Sequence, residues 1–341
     1  MQNRLERQGT NERDLILVHG GCHLTPRRLV RSTVSVYAFL QFSTVLYSLA
    51  ILRSSGPAGS WRHSIIKKAL PTLSHCGIRS IMQIISIANQ KGGVGKSTLS
   101  SLFAYFLTDK KSARVLAVDL DSQRNLSHTL RQCGIEIPTT ALFADARIEL
   151  PAVRKNIALI HATPQLANLE RASAEEANRR VQIFAAHLEA MQEEFDYCLI
   201  DPPPTLGIRM VAALASADFV TVPIELEEYS TQAVKDMLQT VFGVRQQWNP
   251  KLKFMGILAN RFMHNSTRQK AALQDLFENY QDYVLPLKIS TRAAIPRALE
   301  EGRGVWQLPT AAARDASAEV LQVFEALMKK MEPADAEAAV D

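Results

Sequence analysis

From Met82 the chain runs Met-Gln-Ile-Ile-Ser-Ile-Ala, then Asn89-Gln-Lys-Gly-Gly-Val-Gly-Lys-Ser-Thr98, then Leu99-Ser-Ser-Leu-Phe-Ala-Tyr-Phe-Leu107. A short apolar run, a glycine-rich turn and an apolar-periodic stretch leave one local solution, a buried strand that turns sharply into a helix. Gly92, Gly93 and Gly95, with Val94 between them, let backbone N–H groups converge on an anion, and the helix N-terminus adds partial positive charge. Lys96 brings a full charge, and the Ser97 hydroxyl, followed by Thr98, is of the kind that ligates Mg²⁺. The stretch reads as a cradle for nucleotide phosphates and an accompanying Mg²⁺.

Two later strand ends carry carboxylates. Arg114-Val-Leu-Ala-Val-Asp119 is an apolar run that continues Leu120-Asp121-Ser122-Gln123-Arg124-Asn125, and Phe195-Asp-Tyr-Cys-Leu-Ile-Asp201 ends in Pro202-Pro-Pro-Thr-Leu-Gly207. Prolines forbid continuation of the second strand and hold a rigid loop. A carboxylate at the C-terminal edge of a parallel strand lies beside such a cradle, and phosphoryl transfer asks mainly for positioning and charge neutralisation. The plainer alternatives are that Asp119 and Asp121 cap the next helix and that Asp201 is a strand-end turn residue.

Further apolar runs at 157–161, 218–223, 253–261, 284–289 and 304–306 alternate with helical segments at 173–194, 230–247 and 311–331. Ser173 with Glu176 forms a capping box, whereas 131–156 follows no clear period. Strands alternating with helices predict an α/β fold, a parallel sheet covered by helices on both faces with ligands at the strand C-termini. Cys22, Cys76, Cys133 and Cys198 have no C-x-x-C spacing, and His161 and His187 have no partners at metal-ligand spacing, so they read as structural.

Lys91-Gly-Gly-Val-Gly-Lys-Ser-Thr98, with Gln90 where the ordinary phosphate-loop pattern has glycine, resembles the deviant Walker A motif of the family containing ParA, MinD and the nitrogenase iron protein. The resemblance covers roughly Met82 to Met331 and identifies the chain as a P-loop NTPase of SIMIBI type. It implies an ATPase in which Lys91 reaches across a dimer interface to the partner's nucleotide. Asp119-Leu-Asp-Ser-Gln-Arg-Asn125 is similar to the family's D-x-D-P-Q-x-N element, with Ser122 replacing proline. It implies that Asp121 orients the attacking water and that Asp119 joins the magnesium shell. Asp201-Pro-Pro-Pro-Thr-Leu resembles the Walker B and switch II segment, implying that Asp201 holds Mg²⁺ through water. Asn260 stands where relatives place an asparagine against the adenine; the plainer reading is a turn residue. Ala212, Ala233 and Ile289-Ser290 depart from common ParA residues.

Charge is divided along the chain. Residues 1–81 hold 11 Lys/Arg against 3 Asp/Glu, and the remainder holds 28 against 31; within that remainder, residues 245–314 carry 11 basic against 5 acidic side chains. Localised basic charge is what phosphate-backbone binding uses. By resemblance to ParA proteins without an operator-binding domain, Arg268, Lys270, Arg292, Arg297 and Arg303, with Arg314, are candidates for non-specific double-stranded DNA contacts in an ATP-bound homodimer. A ParB-like adaptor would stimulate hydrolysis, the cargo being a plasmid or chromosome and the location cytoplasmic, on the nucleoid. Solvated helix faces account for such residues equally well.

Ser32 to Leu52 is uncharged and follows Arg27, Arg28 and Arg31, but its Ser, Thr and Gln content disfavours a membrane span. We expect residues 1–81 to be a disordered extension, or upstream sequence translated from an early start codon. Residues 82–331 form the ATPase domain and 332–341 an acidic tail. That tail lacks the basic amphipathic helix of a MinD-like membrane switch, and no stable membrane insertion is expected. The alternative reading is a related ATPase that positions another cargo, such as a division-site, chemoreceptor, secretion or cellulose-synthesis assembly.

Overall fold

The computed structural model describes residues 81–151 and 156–332. Apart from Ile81 and Glu332, the expectations about the N-terminal extension and the acidic tail lie outside the described residues. Eight strands form one sheet in the order β3-β4-β2-β5-β1-β6-β7-β8, every neighbouring pair parallel. They are β1 (Gln83–Ile87), β2 (Val115–Asp119), β3 (Gly134–Pro138), β4 (Ile157–His161), β5 (Tyr197–Asp201), β6 (Phe219–Glu225), β7 (Lys253–Phe262) and β8 (Val284–Ser290). The helices are α1 (Lys96–Lys111), α2 (Asn125–Thr129), α3 (Ala174–Ala190), α4 (Ile208–Ser216), α5 (Thr231–Gln247), α6 (Thr267–Tyr280), α7 (Ala294–Glu300) and α8 (Ala311–Met331).

Alternation along the central strands decides which helix covers which face. Val115, Ala117 and Leu199 pack with α1, α7 and α8, where Phe103 stacks on Phe324 at 4.6 Å between ring centroids. Their neighbours Leu116, Val118, Cys198 and Ile200 pack with α3 and α4 on the other face. A strand buried on both sides must be apolar at every position, as Val115-Leu-Ala-Val is. Cys198 is fully buried and its thiol is pushed far above its usual range by burial, in keeping with its reading as a core residue.

Predicted helix starts hold where a side chain fixes them. Ser173 Oγ accepts from Glu176 N, Ser230 Oγ from Ala233 N and Thr310 Oγ1 from Ala313 N. Two stretches differ from expectation. Residues 131–156 contain β3, a five-residue edge strand opened by Gly134 and closed by Pro138, with an irregular register against β4. Its glycine, proline and exposed Glu136 erase the alternation by which a strand is read. Residues 304–306, expected as an apolar run among the strands, form the 3₁₀ turn Val305–Gln307 instead. Trp306 packs edge-on against Phe106 and donates to Asp109 Oδ2 at 2.9 Å.

Candidate nucleotide site

Strand order places the chemistry. β2, β5, β1 and β6 are adjacent, so the loops leaving their C-terminal ends open onto one edge. Between β1 and α1 the backbone takes positive φ at Gly93 (81°) and Gly95 (90°), values an L side chain rarely adopts. A Cβ on Gly95 would also collide with the Asn260 amide. α1 begins without a side-chain cap and with no acidic residue in its first turn, leaving its N-terminal amides and partial positive charge for a ligand. Val94 and Lys96 are buried while Gly92 and Gly93 are exposed.

The loop is braced from three sides. Asn89 Nδ2 donates to Pro223 O at 2.7 Å, and Asn89 Oδ1 accepts from Lys91 N at 2.9 Å. Asn260 Nδ2 donates to Val94 O at 2.8 Å from the end of β7, so the residue expected at the adenine is tied here to the phosphate loop. Arg261, itself at φ 55°, donates to Gly93 O at 3.0 Å and lies 3.5 Å from Glu225. Lys96 Nζ reaches back to Lys91 O at 3.1 Å. Burial lowers the Lys96 pKa first, with Asp201 and Asp121 opposing.

The three predicted carboxylates gather beside this loop but stand in different surroundings. Asp119 Oδ1 accepts from Asp121 N at 3.0 Å, and its Oδ2 accepts from Ser127 N at 2.8 Å and Ser127 Oγ at 2.6 Å. Burial raises its pKa to about 6 despite these bonds. Asp121 accepts from Gln123 N at 3.0 Å through one oxygen. Asp201 is fully buried and neither carboxyl oxygen accepts a hydrogen bond. Burial, and then the Asp119 charge, push its pKa up to about 8; the nearby Ser97 hydroxyl and Lys96 pull the other way without completing a hydrogen bond to it.

A buried carboxyl left without partners beside a lysine, a hydroxyl and a bare helix N-terminus fits a magnesium-bound nucleotide. Among the described residues no group of three or more His, Cys, Asp or Glu is placed to hold a metal ion alone. Such a site would draw its remaining ligands from water and phosphate oxygens, as Mg²⁺ sites do.

The basic candidates are not part of this cluster. Arg268 lies 3.7 Å from Glu227, Arg292 pairs with Glu319 at 2.7 Å and Asp315 at 3.8 Å, and Arg297 and Arg303 share Glu301. Lys270 and Arg314 are exposed on α6 and α8. Ser127, Asn89 as a brace, Arg261 and the buried Arg209 escaped the sequence reading. Ser127 and Arg209 carry no motif, and the roles of Asn89 and Arg261 depend on strands far apart in sequence. Among the described residues no helix is long and apolar enough to cross a membrane.

Comparison with known proteins agrees with this geometry. The chain matches an AAA domain over residues 82–254. It is 38% identical to Protein IncC of Escherichia coli over 265 residues, covering 74% of this chain and 70% of that protein. It is 30% identical to the sporulation initiation inhibitor protein Soj of Bacillus subtilis over 234 residues, 65% of this chain and 90% of Soj. Among solved structures, a Cyanothece McdA variant in complex with ATP superposes with a TM-score of 0.59 at 26% identity, over 73% of this chain and 97% of McdA. With the phosphate loop, the carboxylates and the parallel sheet in one arrangement, the chain belongs to the ParA/Soj-type partition ATPases, a P-loop family.

Proposed function

We propose that the protein is an ATP-driven dimerisation switch that binds non-specific double-stranded DNA in its ATP state and serves plasmid or chromosome partition. The observation that supports the nucleotide site in this reading is the buried Asp201 carboxyl, without a hydrogen-bond partner, near Lys96 and the uncapped N-terminus of α1. In this reading Lys96 and the loop amides hold the phosphates, Ser97 and Asp201 hold Mg²⁺, and Asp121 orients the attacking water. Bound Mg²⁺ would neutralise developing phosphate charge. Asp119, saturated by its own loop, fixes the position of Asp121. Lys91, half-buried and directly before the exposed Gly92 and Gly93, is the residue proposed to reach a second protomer.

Names of relatives support the cargo. Protein ParA of Myxococcus xanthus, 35% identical over 192 residues, is a chromosome partitioning protein. The DNA surface is proposed for Arg268, Lys270, Arg292, Arg297 and Arg303, and a ParB-like adaptor for stimulating hydrolysis. The test is retention of the full chain on non-specific duplex DNA with ATP, with ADP and without nucleotide, beside Lys91→Ala. Retention that needs ATP and is lost in Lys91→Ala supports the switch. ATP binding with DNA ignored in every state refutes it.

A further inference from the structure

Arg209 is 5% exposed, in the first turn of α4, directly behind the loop Pro202–Gly207. Its Nε donates to Glu170 Oε1 at 2.7 Å, and its Nη1 donates to Leu120 O at 3.1 Å. Glu170 Oε2 in turn accepts from Ile208 N at 2.9 Å, capping α4, whose own N-cap residue, Gly207, offers no side chain. A Cβ on Gly207 would collide with the Glu170 carboxylate, so glycine is what lets the cap approach. Glu170 stands on the 3₁₀ segment Pro164–Arg171, anchored in the core by Leu166 and Leu169.

Leu120 is the residue between Asp119 and Asp121. Its N–H donates to Asp201 O at 3.0 Å and its carbonyl takes Arg209, so both of its backbone groups are held by the chain that carries Asp201 and the proline loop. One guanidinium therefore joins three segments: the carboxylate loop 119–121, the start of α4 behind the proline loop, and the core-anchored 3₁₀ segment through Glu170. Burying a charge pair is costly unless its geometry is used, and a planar fork with fixed donors suits a joint of this kind. The proline loop carries Leu206, 61% exposed, so one end of the joint is open to outside contact while the other holds the backbone beside Asp121.

We infer that Arg209 and Glu170 form a latch that positions Asp121 for ATP hydrolysis and couples that position to the proline loop. The inference deepens the proposed ATPase reading and rests on it. Arg209 is a positioning residue, since it touches the backbone that carries Asp121 and no reacting atom. Displacement of a catalytic group by about 1 Å can cost on the order of a hundredfold in rate.

The test compares the full chain with Arg209→Met, Arg209→Lys, Glu170→Gln and the Arg209→Met/Glu170→Gln double variant, using equilibrium binding of a fluorescent ATP analogue and steady-state ATP turnover. The latch requires Arg209→Met to keep ATP affinity within about twofold while turnover falls about tenfold or more. Arg209→Lys, which keeps the charge without the fork, should recover part of the loss, and the double variant should be no slower than Arg209→Met. If Arg209→Met does not fold, Glu170→Gln decides alone by the same split. Unchanged turnover in a folded variant, or affinity falling as far as turnover, overturns the latch while leaving the ATPase intact. A wild-type chain that binds ATP and never hydrolyses it overturns the ATPase reading and the latch together.

Discussion

Asp119 and Asp201 are register partners at the ends of the adjacent strands β2 and β5, and the fold treats their carboxyl groups oppositely. Asp119 accepts three hydrogen bonds from its own loop and from Ser127, whereas Asp201 accepts none. A carboxylate with three donors is held in place; a bare buried one calls for an explanation such as a proton or a bound ion.

Lys96→Ala is expected to weaken ATP binding by two orders of magnitude or about 2.7 kcal/mol. It removes the charge at the cradle's base and leaves the glycine turn intact. Equilibrium titration with a fluorescent ATP analogue measures it, and affinity within threefold of wild type would contradict the cradle assignment.

Asp121→Ala should bind ATP normally and hydrolyse it roughly a hundredfold more slowly, within the range that positioned acid–base groups contribute. Single-turnover kinetics separate binding from chemistry. Wild-type turnover would remove Asp121 from the mechanism.

The ligand-free protein should lose stability as pH rises from about 4 to about 8. The folded pKa values of Asp119 (about 6) and Asp201 (about 8) lie above the ordinary 3.8, so the folded state keeps protons that the unfolded chain has released. The stabilisation is complete below about pH 4 and is spent once pH passes the folded values, with a slope approaching about 1.4 kcal/mol per pH unit for each proton. Glu301 and Glu319, whose pKa values are lowered, act below their ordinary 4.5 and so outside this window. Thermal melts of the wild type and Asp201→Asn between pH 5.5 and 8 test this. The variant should give the flatter profile, and parallel profiles would show that the Asp201 carboxyl is ionised throughout.

Gly95→Ala should destabilise the ligand-free fold by about 1–3 kcal/mol, because a residue at φ 90° is strained and its Cβ meets Asn260. Gly92→Ala meets nothing within 4 Å and should fall within about 0.5 kcal/mol of wild type. Denaturant unfolding compares them, and equal losses would mean that backbone freedom at Gly95 is not what the turn needs.

DNA retention in the ATP state should fall steeply between 50 and 200 mM salt, by about 10³-fold if six phosphates are contacted. Arg297→Ala and Arg303→Ala should reduce the salt slope, the measure of phosphates neutralised. A salt-insensitive complex would point to another surface.

Much of the fold lay in local signals. The β1 strand, the glycine turn and α1 are contiguous, and the runs ending in Asp119 and Asp201 are apolar throughout because both sheet faces are covered. The capping box at Ser173 marked one helix start, and the structure adds Ser230 and Thr310 as caps of two others. β3 was hidden by its edge position, and the turn at Val305–Gln307 was shaped by Phe106 and Asp109, far away in the chain.

The sequence alone determined that three glycines, a lysine, a hydroxyl and strand-end carboxylates stand in the local order that phosphate chemistry asks for. Only the tertiary structure decided how each of those groups is held. Whether a carboxylate is saturated, like Asp119, or bare, like Asp201, depends on Ser127 and on burial under other strands. That Arg209 bridges Leu120 and Glu170, and that Asn260 braces Val94 across 166 positions, follows from which strands lie side by side. Hydrogen bonds between segments distant in sequence leave no period or motif in either segment.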